Sequence, residues 1–196
     1  MIRKSVALAG LLVLAFSALA QAGTYSIDPA HSSVSFVARH MVVTKVRGHF
    51  DTFEGSVQFE EGKPESWRVT ATIDANSVNT GVEKRDGHLR SPDFLDVANY
   101  PEITFKSTGV STHKGGGWVL NGDLTLHGVT KPISLDLEYN GSIQDPYGNT
   151  RAGFTATGAL SRKDYGLTWN NLLETGGAVV SDEIQIEIEV EGILQK

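Results

Sequence analysis

The chain has 196 residues, of which 40% are hydrophobic and 8% aromatic, no cysteine, and a formal net charge of −6. That length suits one domain burying roughly 70% of its unfolded surface, and without cysteine its core must hold by packing alone, with no disulfide. The acidic balance excludes nucleic acid as a partner and speaks against adsorption on anionic lipid, both of which favour basic surfaces.

The first segment reads as an address. Arg3 and Lys4 precede the apolar run "VALAGLLVLAFSALA" (Val6 to Ala20), and Ala20-Gln21-Ala22 fits the small-residue cleavage rule, so a secretory signal peptide cut after Ala22 is expected. The run is short for the roughly 20 residues a spanning helix needs. Residues 23–196 remain as a single exported domain.

Beyond it the recurrent period is two. In chain order, one-sided alternation sets Val34, Phe36 and Ala38 on one face, then Phe53, Gly55, Val57 and Phe59, then Trp67, Val69, Ala71 and Ile73. Asn79 to Val97 interrupts the pattern. There Asn79 or Thr80 with Glu83, and Ser91 with Pro92, read as helix starts, so one or two short helices are predicted around residues 80–97, as a lid or plug at one barrel end. Alternation resumes with Ile103 and Phe105, with Leu120, Gly122, Leu124 and Leu126, and with Ile133, Leu135, Leu137 and Tyr139. It continues in Phe154, Ala156, Gly158 and Leu160 and ends in "EIQIEIEVEG" (Glu183 to Gly192), where Ile184, Ile186, Ile188 and Val190 share a face. Gly- and Pro-rich turns such as "EEGKPES", "HKGGGW" and "DPYGNT" separate these strands and imply antiparallel neighbours. The fold class is all-β with eight or nine strands, closed as a barrel or packed as a sandwich.

The chemistry on offer is sparse. There is no Cys nucleophile and no G-x-S-x-G elbow, and His31 beside Asp28 reads equally as a turn entering a strand. Six histidines stand at no local ligand spacing, so no metal site is expected. "EKRDGHLRSPDF" (Glu83 to Phe94) offers His88 with Asp86 as an acid–base pair, but its mixed charges suit a solvated helix just as well. His40 shares the parity of Phe36 and Ala38, as a contact at a cavity mouth or simply a strand end. The inward faces mix large residues (Phe36, Phe53, Phe59, Trp67, Phe105, Leu124, Phe154, Ile186) with small ones (Ala38, Gly55, Ala71, Gly122, Ala156, Gly158). Such a mixture leaves a ligand cavity or interdigitates into a filled core, and periodicity does not choose.

Five stretches together resemble the YceI-like family of exported bacterial proteins: "DPAHSSVSFVARHM", "KVRGHFDTFEGSVQF", "SVNTGVEKRDGHLRSPDFLDVANYPEITFKST", "NGDLTLHGVTKPISL" and "RKDYGL". They stand in order between Asp28 and Leu167, the resemblance runs over essentially all of residues 23–196, and the third stretch is the most specific. The resemblance implies a lipocalin-like antiparallel barrel of eight strands, in the periplasm, holding a long-chain polyisoprenoid or isoprenoid quinone, without catalysis or cofactor. It makes Asp28, His31, Arg39, His40, Arg85, Asp86 and His88 the expected headgroup or pocket-mouth residues. It also suggests an inner-membrane redox or stress partner and a homodimer. The long connection "TWNNLLETGGAVVSDE" (Thr168 to Glu183) departs from the family in length. An enzyme acting on isoprenoids through His31 or His88 with Asp86, and a filled-core interaction module, are the competing readings.

Overall fold

A computed structural model describes residues 22–41, 43–113, 116–171 and 178–196. The expected cleavage segment, apart from Ala22, and the centre of the long connection lie outside the described residues. Eleven strands form: β1 (Gly23–Ile27), β2 (Ser33–His40), β3 (Thr44–Phe50), β4 (Phe53–Phe59), β5 (Arg68–Asp74), β6 (Val78–Asn79), β7 (Glu102–Thr112), β8 (Trp118–Leu126), β9 (Val129–Gln144), β10 (Thr150–Ser161) and β11 (Val180–Leu194). One α-helix, α1 (Glu83–Arg90), follows β6.

Every pairing is antiparallel. β1 pairs with both β4 and β11, which closes the sheet on itself. Three of the short strands continue others. β2 pairs with β3 and β1 with β4, so β1–β2 and β3–β4 run as two bent strands of one hairpin; β6 likewise extends β5 along the β3–β4 strand. The result is an eight-stranded up-and-down barrel, the expected fold, in which the far side of β3 is paired only at His49 and Phe50. The bend between β1 and β2 falls at Asp28-Pro29-Ala30-His31-Ser32, where the proline has no amide to give to a ladder.

All eight alternating segments read from the sequence are strands or abut one. Trp67 stands just before β5, after a 3₁₀ turn (Pro64–Ser66), and is still buried. β1 and β6 are short, and β3, where Val46, Gly48 and Phe50 alternate with Lys45, Arg47 and His49, is not among the segments read from the sequence; the pairing defines all three.

The core divides by barrel end. At one end Tyr25, Phe59, Trp67 and Phe154 are buried, and Tyr139 and Trp118 pack on them. Phe59 meets Tyr25, Trp67, Tyr139 and Phe154 with ring centroids 4.9–5.8 Å apart, mostly tilted or edge-on, the favourable aromatic arrangements. These rings shut that end. The other end is covered by α1 and the turns after it, with Leu95, Tyr165 and Leu167 buried and Leu89 packed against them.

Of the two possible helices, one forms. Ser91 to Leu95 makes a tight turn instead, its Phe94 amide donating to the Ser91 carbonyl at 3.0 Å. Thr80 is not the helix cap: Val82 holds that position, and the Thr80 amide and hydroxyl both donate to the Asp86 carboxylate while Arg85 Nε donates to the hydroxyl at 2.7 Å. The helix starts after Val82, with no side-chain cap.

Candidate functional site: an apolar cavity in the barrel

Inward residues from nearly every strand surround one cavity of about 270 Å³, so the interior is not a filled core. This lies at the lower edge of ligand-pocket sizes, roughly 300–1,000 Å³, and suits a slender occupant. Of the ten expected cavity residues, Phe36, Phe53, Trp67, Phe105, Leu124, Phe154, Ala156 and Ile186 line it. Phe59 and Gly158 do not: Phe59 is spent in the aromatic closure, and Gly158 faces Leu135, itself on the wall.

The glycines on the inward faces do not open space, as the mixture of large and small residues had suggested. A Cβ on Gly122 would stand 2.4 Å from Phe105 Cζ, and one on Gly48 2.4 Å from Phe36 Cζ. These two glycines are roofed by rings, Gly158 by Leu135, and Gly55 by Ile27 and the Thr70 carbonyl. The cavity arises instead along the barrel axis, which the strand side chains leave unfilled.

α1 and its following turn supply Leu89, Phe94 and Leu95 to the wall. The charges of "EKRDGHLRSPDF" serve to dock this segment. Asp86, 4% exposed, holds the amide and hydroxyl of Thr80; Arg85 donates to the Thr80 carbonyl at 2.9 Å; Arg90 Nε donates to the Asn76 carbonyl at 2.9 Å. His88 lies 2.9 Å from Asp93 and stands edge-on to Phe94 and Trp169, at centroid distances of 5.0 and 4.9 Å. None of Arg85, Asp86 or His88 is on the cavity wall.

Asp28 and His31 also lie away from it. At the β1–β2 bend, on the outer face, Asp28 bonds His31 Nδ1 at 2.9 Å and Arg151 at 2.9 Å, and Arg151 also pairs with Asp145 at 2.7 Å and with Glu191. The His31 bond, and then the Arg151 guanidinium, hold the Asp28 carboxyl down to about 2, while Arg151 and Asn149 hold Asp145 below the usual carboxylate range. Asp28, His31 and Glu191 offer ligand atoms within 4.8 Å of one another, but Arg151 already supplies the cation between the two carboxylates. Arg39 is exposed on the outer face of β2, and His40 ends that strand opposite Val180 and Thr44. The expected polar residues therefore divide among an outer ion-pair cluster, the α1 dock and the β2 end, and the structure does not gather them round one headgroup.

The charged residue on the wall is Arg162, which the sequence reading passed over. Only 3% exposed, it sends Nε to the Ser181 carbonyl at 3.0 Å and one terminal nitrogen to the Leu167 and Trp169 carbonyls at 2.7 and 2.8 Å, with Asp182 at 3.3 Å. Burial lowers its pKa, opposed by Asp182. Its donors face the loop, so its stem lines the cavity while its charge fastens the segment after β10. Parity would have found it: Arg162 continues Phe154, Ala156, Gly158 and Leu160.

The expected acid–base candidates are not brought together at the cavity: His31 bonds Asp28 on the outer face, and in the α1 dock His88 bonds Asp93 while Asp86 holds Thr80. The site is a closed antiparallel barrel around an apolar hollow, the architecture of proteins that hold small apolar molecules.

The chain belongs to the YceI-like family, whose domain model matches residues 25–192. Protein YceI of Salmonella newport is 40% identical over 191 residues, covering 96% of this chain and 95% of that protein. The crystal structure of the Campylobacter jejuni YceI protein superposes with a TM-score of 0.70 at 30% identity, over 81% of this chain and 90% of that one. A polyisoprenoid-binding domain from Saccharophagus degradans, implicated in plant cell wall breakdown, shares the fold at a TM-score of 0.64 and 19% identity, over 89% of this chain and all of that one.

Proposed function

We propose that this protein is a periplasmic, non-enzymatic carrier or store for an elongated lipid, a polyisoprenoid or isoprenoid quinone, whose tail lies along the barrel axis. The observation that carries this is the cavity wall: Ser35 and Arg162 apart, it is apolar throughout. A hydrocarbon gains roughly 0.8 kcal/mol per buried CH₂ in such surroundings, whereas a buried headgroup would find no partner there. The tail is therefore inside and the head at the α1 end, because the aromatic rings shut the other. The named specificity of the Saccharophagus domain, on the same fold, supports the polyisoprenoid class. The apolar run and small-residue site ending at Ala22 support export, and a quinone occupant would make an inner-membrane redox enzyme the natural neighbour.

The test is titration of delipidated protein with a fluorescent prenol. Saturable uptake is expected, weakened about tenfold by Ala156→Leu, which puts extra carbons into the cavity. No uptake by folded protein would refute the reading.

A further inference from the structure

The turn between β2 and β3 is built against the usual chemistry of turns. Hairpin connections favour Gly, Asn, Asp, Ser and Pro, and this chain uses them elsewhere, yet here the connection reads Met41-Val42-Val43. Val43 is 81% exposed and Met41 41% exposed, so the side chains are presented to the outside. Met41 has a φ of 51°, a left-handed conformation that a glycine would adopt without strain. A solvated turn needs neither feature.

Cations flank this tip. Arg39 and Lys45 face each other across the hairpin, and Arg47 follows opposite Val37, all exposed on the outer face. Like charges directly opposite are unfavourable in a sheet unless an anion lies between them. Among the described residues, no carboxylate forms an ion pair with Arg39, Lys45, Arg47 or Lys84. The nearby acids Glu83, Asp93 and Asp182 are already held by Arg90, His88 and Lys163, and Glu183 stays unpaired. α1 opens beside β3, where the Thr80 methyl lies over Gly48, so exposed Val82 and Lys84 belong to the same end. The opposite end also exposes apolar residues, Ile143 and Tyr147, but with Asp145 and its acidic cluster between them.

We propose that the β2–β3 tip is a docking element for an anionic phospholipid surface, with Met41 and Val43 entering the acyl boundary while Arg39, Lys45 and Arg47 meet headgroup phosphates. The negative net charge is an average over the chain; the tip carries the opposite sign. The hairpin rises from the cavity wall, since Ala38 on β2 and Val180 opposite His40 both line the cavity. Docking therefore sets the α1 end of the barrel against the bilayer, where a lipid tail crosses without passing through water. This deepens the carrier reading and rests on it for its purpose, though not for its test.

The test is sedimentation of the full exported chain with vesicles of phosphatidylcholine alone or mixed with phosphatidylglycerol. Binding is expected only to the mixed vesicles, weakening with salt, falling about fivefold for each charge removed in Arg39→Gln and Lys45→Gln, and lost in Met41→Ser/Val43→Ser. Ile143→Ser/Tyr147→Ser, at the other end, should bind as the parent does, and circular dichroism checks that every variant is folded. Absent binding, binding indifferent to phosphatidylglycerol, or variants that bind like the parent would overturn the proposal. So would a concentration-dependent dimer abolished by Met41→Ser/Val43→Ser, since the tip would then meet a second copy. Because vesicle binding needs no filled cavity, docking with an empty barrel would sink the carrier reading alone, and prenol uptake without docking would sink this one alone.

Discussion

Arg162 and Arg151 show how differently two arginines are used. Arg162 is buried and its donors are fixed by three backbone carbonyls, so Arg162→Met strands those carbonyls and is expected to cost about 3 kcal/mol in urea unfolding. Arg162→Lys restores little, because one ammonium cannot reproduce the planar fork. Arg151 instead gathers Asp28, Asp145 and Glu191 on the outer face. Asp28 and Asp145 have folded pKa values below the unfolded value of about 4, so their contribution is full above about pH 4; that of Asp28 is lost as the pH falls through about 2, and that of Asp145 at more acid pH still. The thermal midpoint should drop across that window in the parent and change less in Arg151→Met, which starts lower; equal slopes would show that the cluster is not coupled to folding. Asp28 and His31 could be singled out from the sequence as an acid beside a histidine in a stretch shared with the YceI-like family, but the partner that explains them, Arg151, stands far along the chain and only barrel closure brings it near.

Among the elements, the α1 segment was legible as a helix covering one barrel end, while the use of its charges was not. Its charges looked like solvent or headgroup chemistry, yet Asp86, Arg85 and Arg90 point back to Thr80, Asn76 and Val78 and fasten the helix over the barrel end. Asp86→Ala should therefore cost about 2 kcal/mol and raise hydrogen exchange in Glu83–Arg90 before the strands open. Most strands with strict alternation were read directly; β3 also alternates, Lys45, Arg47 and His49 against Val46, Gly48 and Phe50, but its central inward residue is a glycine, and β6 is only two residues long. Gly122 illustrates a limit of pattern reading: the sequence shows a small inward residue, and only the structure shows the Phe105 ring filling that room. Gly122→Ala would press its Cβ on Phe105 and, at 2.8 Å, on the Lys106 carbonyl, with an expected loss of about 1–3 kcal/mol in thermal or urea unfolding. An unchanged midpoint would mean that the ring swings aside freely.

For the whole molecule, one-sided alternation in every strand requires a wrapped interior, and the choice of a barrel was settled by the pairing of β1 with β11. Whether that interior is empty could not be read from residue types, because cavity volume is a small difference between barrel circumference and side-chain bulk. The aromatic cluster of Tyr25, Phe59, Trp67 and Phe154 at one end and the docked helical cover at the other enclose an apolar hollow. That asymmetry is what a carrier needs: a fixed floor, a wall that holds hydrocarbon without directing it, and a cover on a separate segment.

The most direct test of this account is native mass spectrometry of the protein taken from its own host without detergent, followed by organic extraction of what it releases. One long-chain isoprenoid per barrel, displaced in the Ala156→Leu variant, is the expected result. A barrel that emerges empty and stays empty when offered prenols and prenyl quinones would contradict the carrier function.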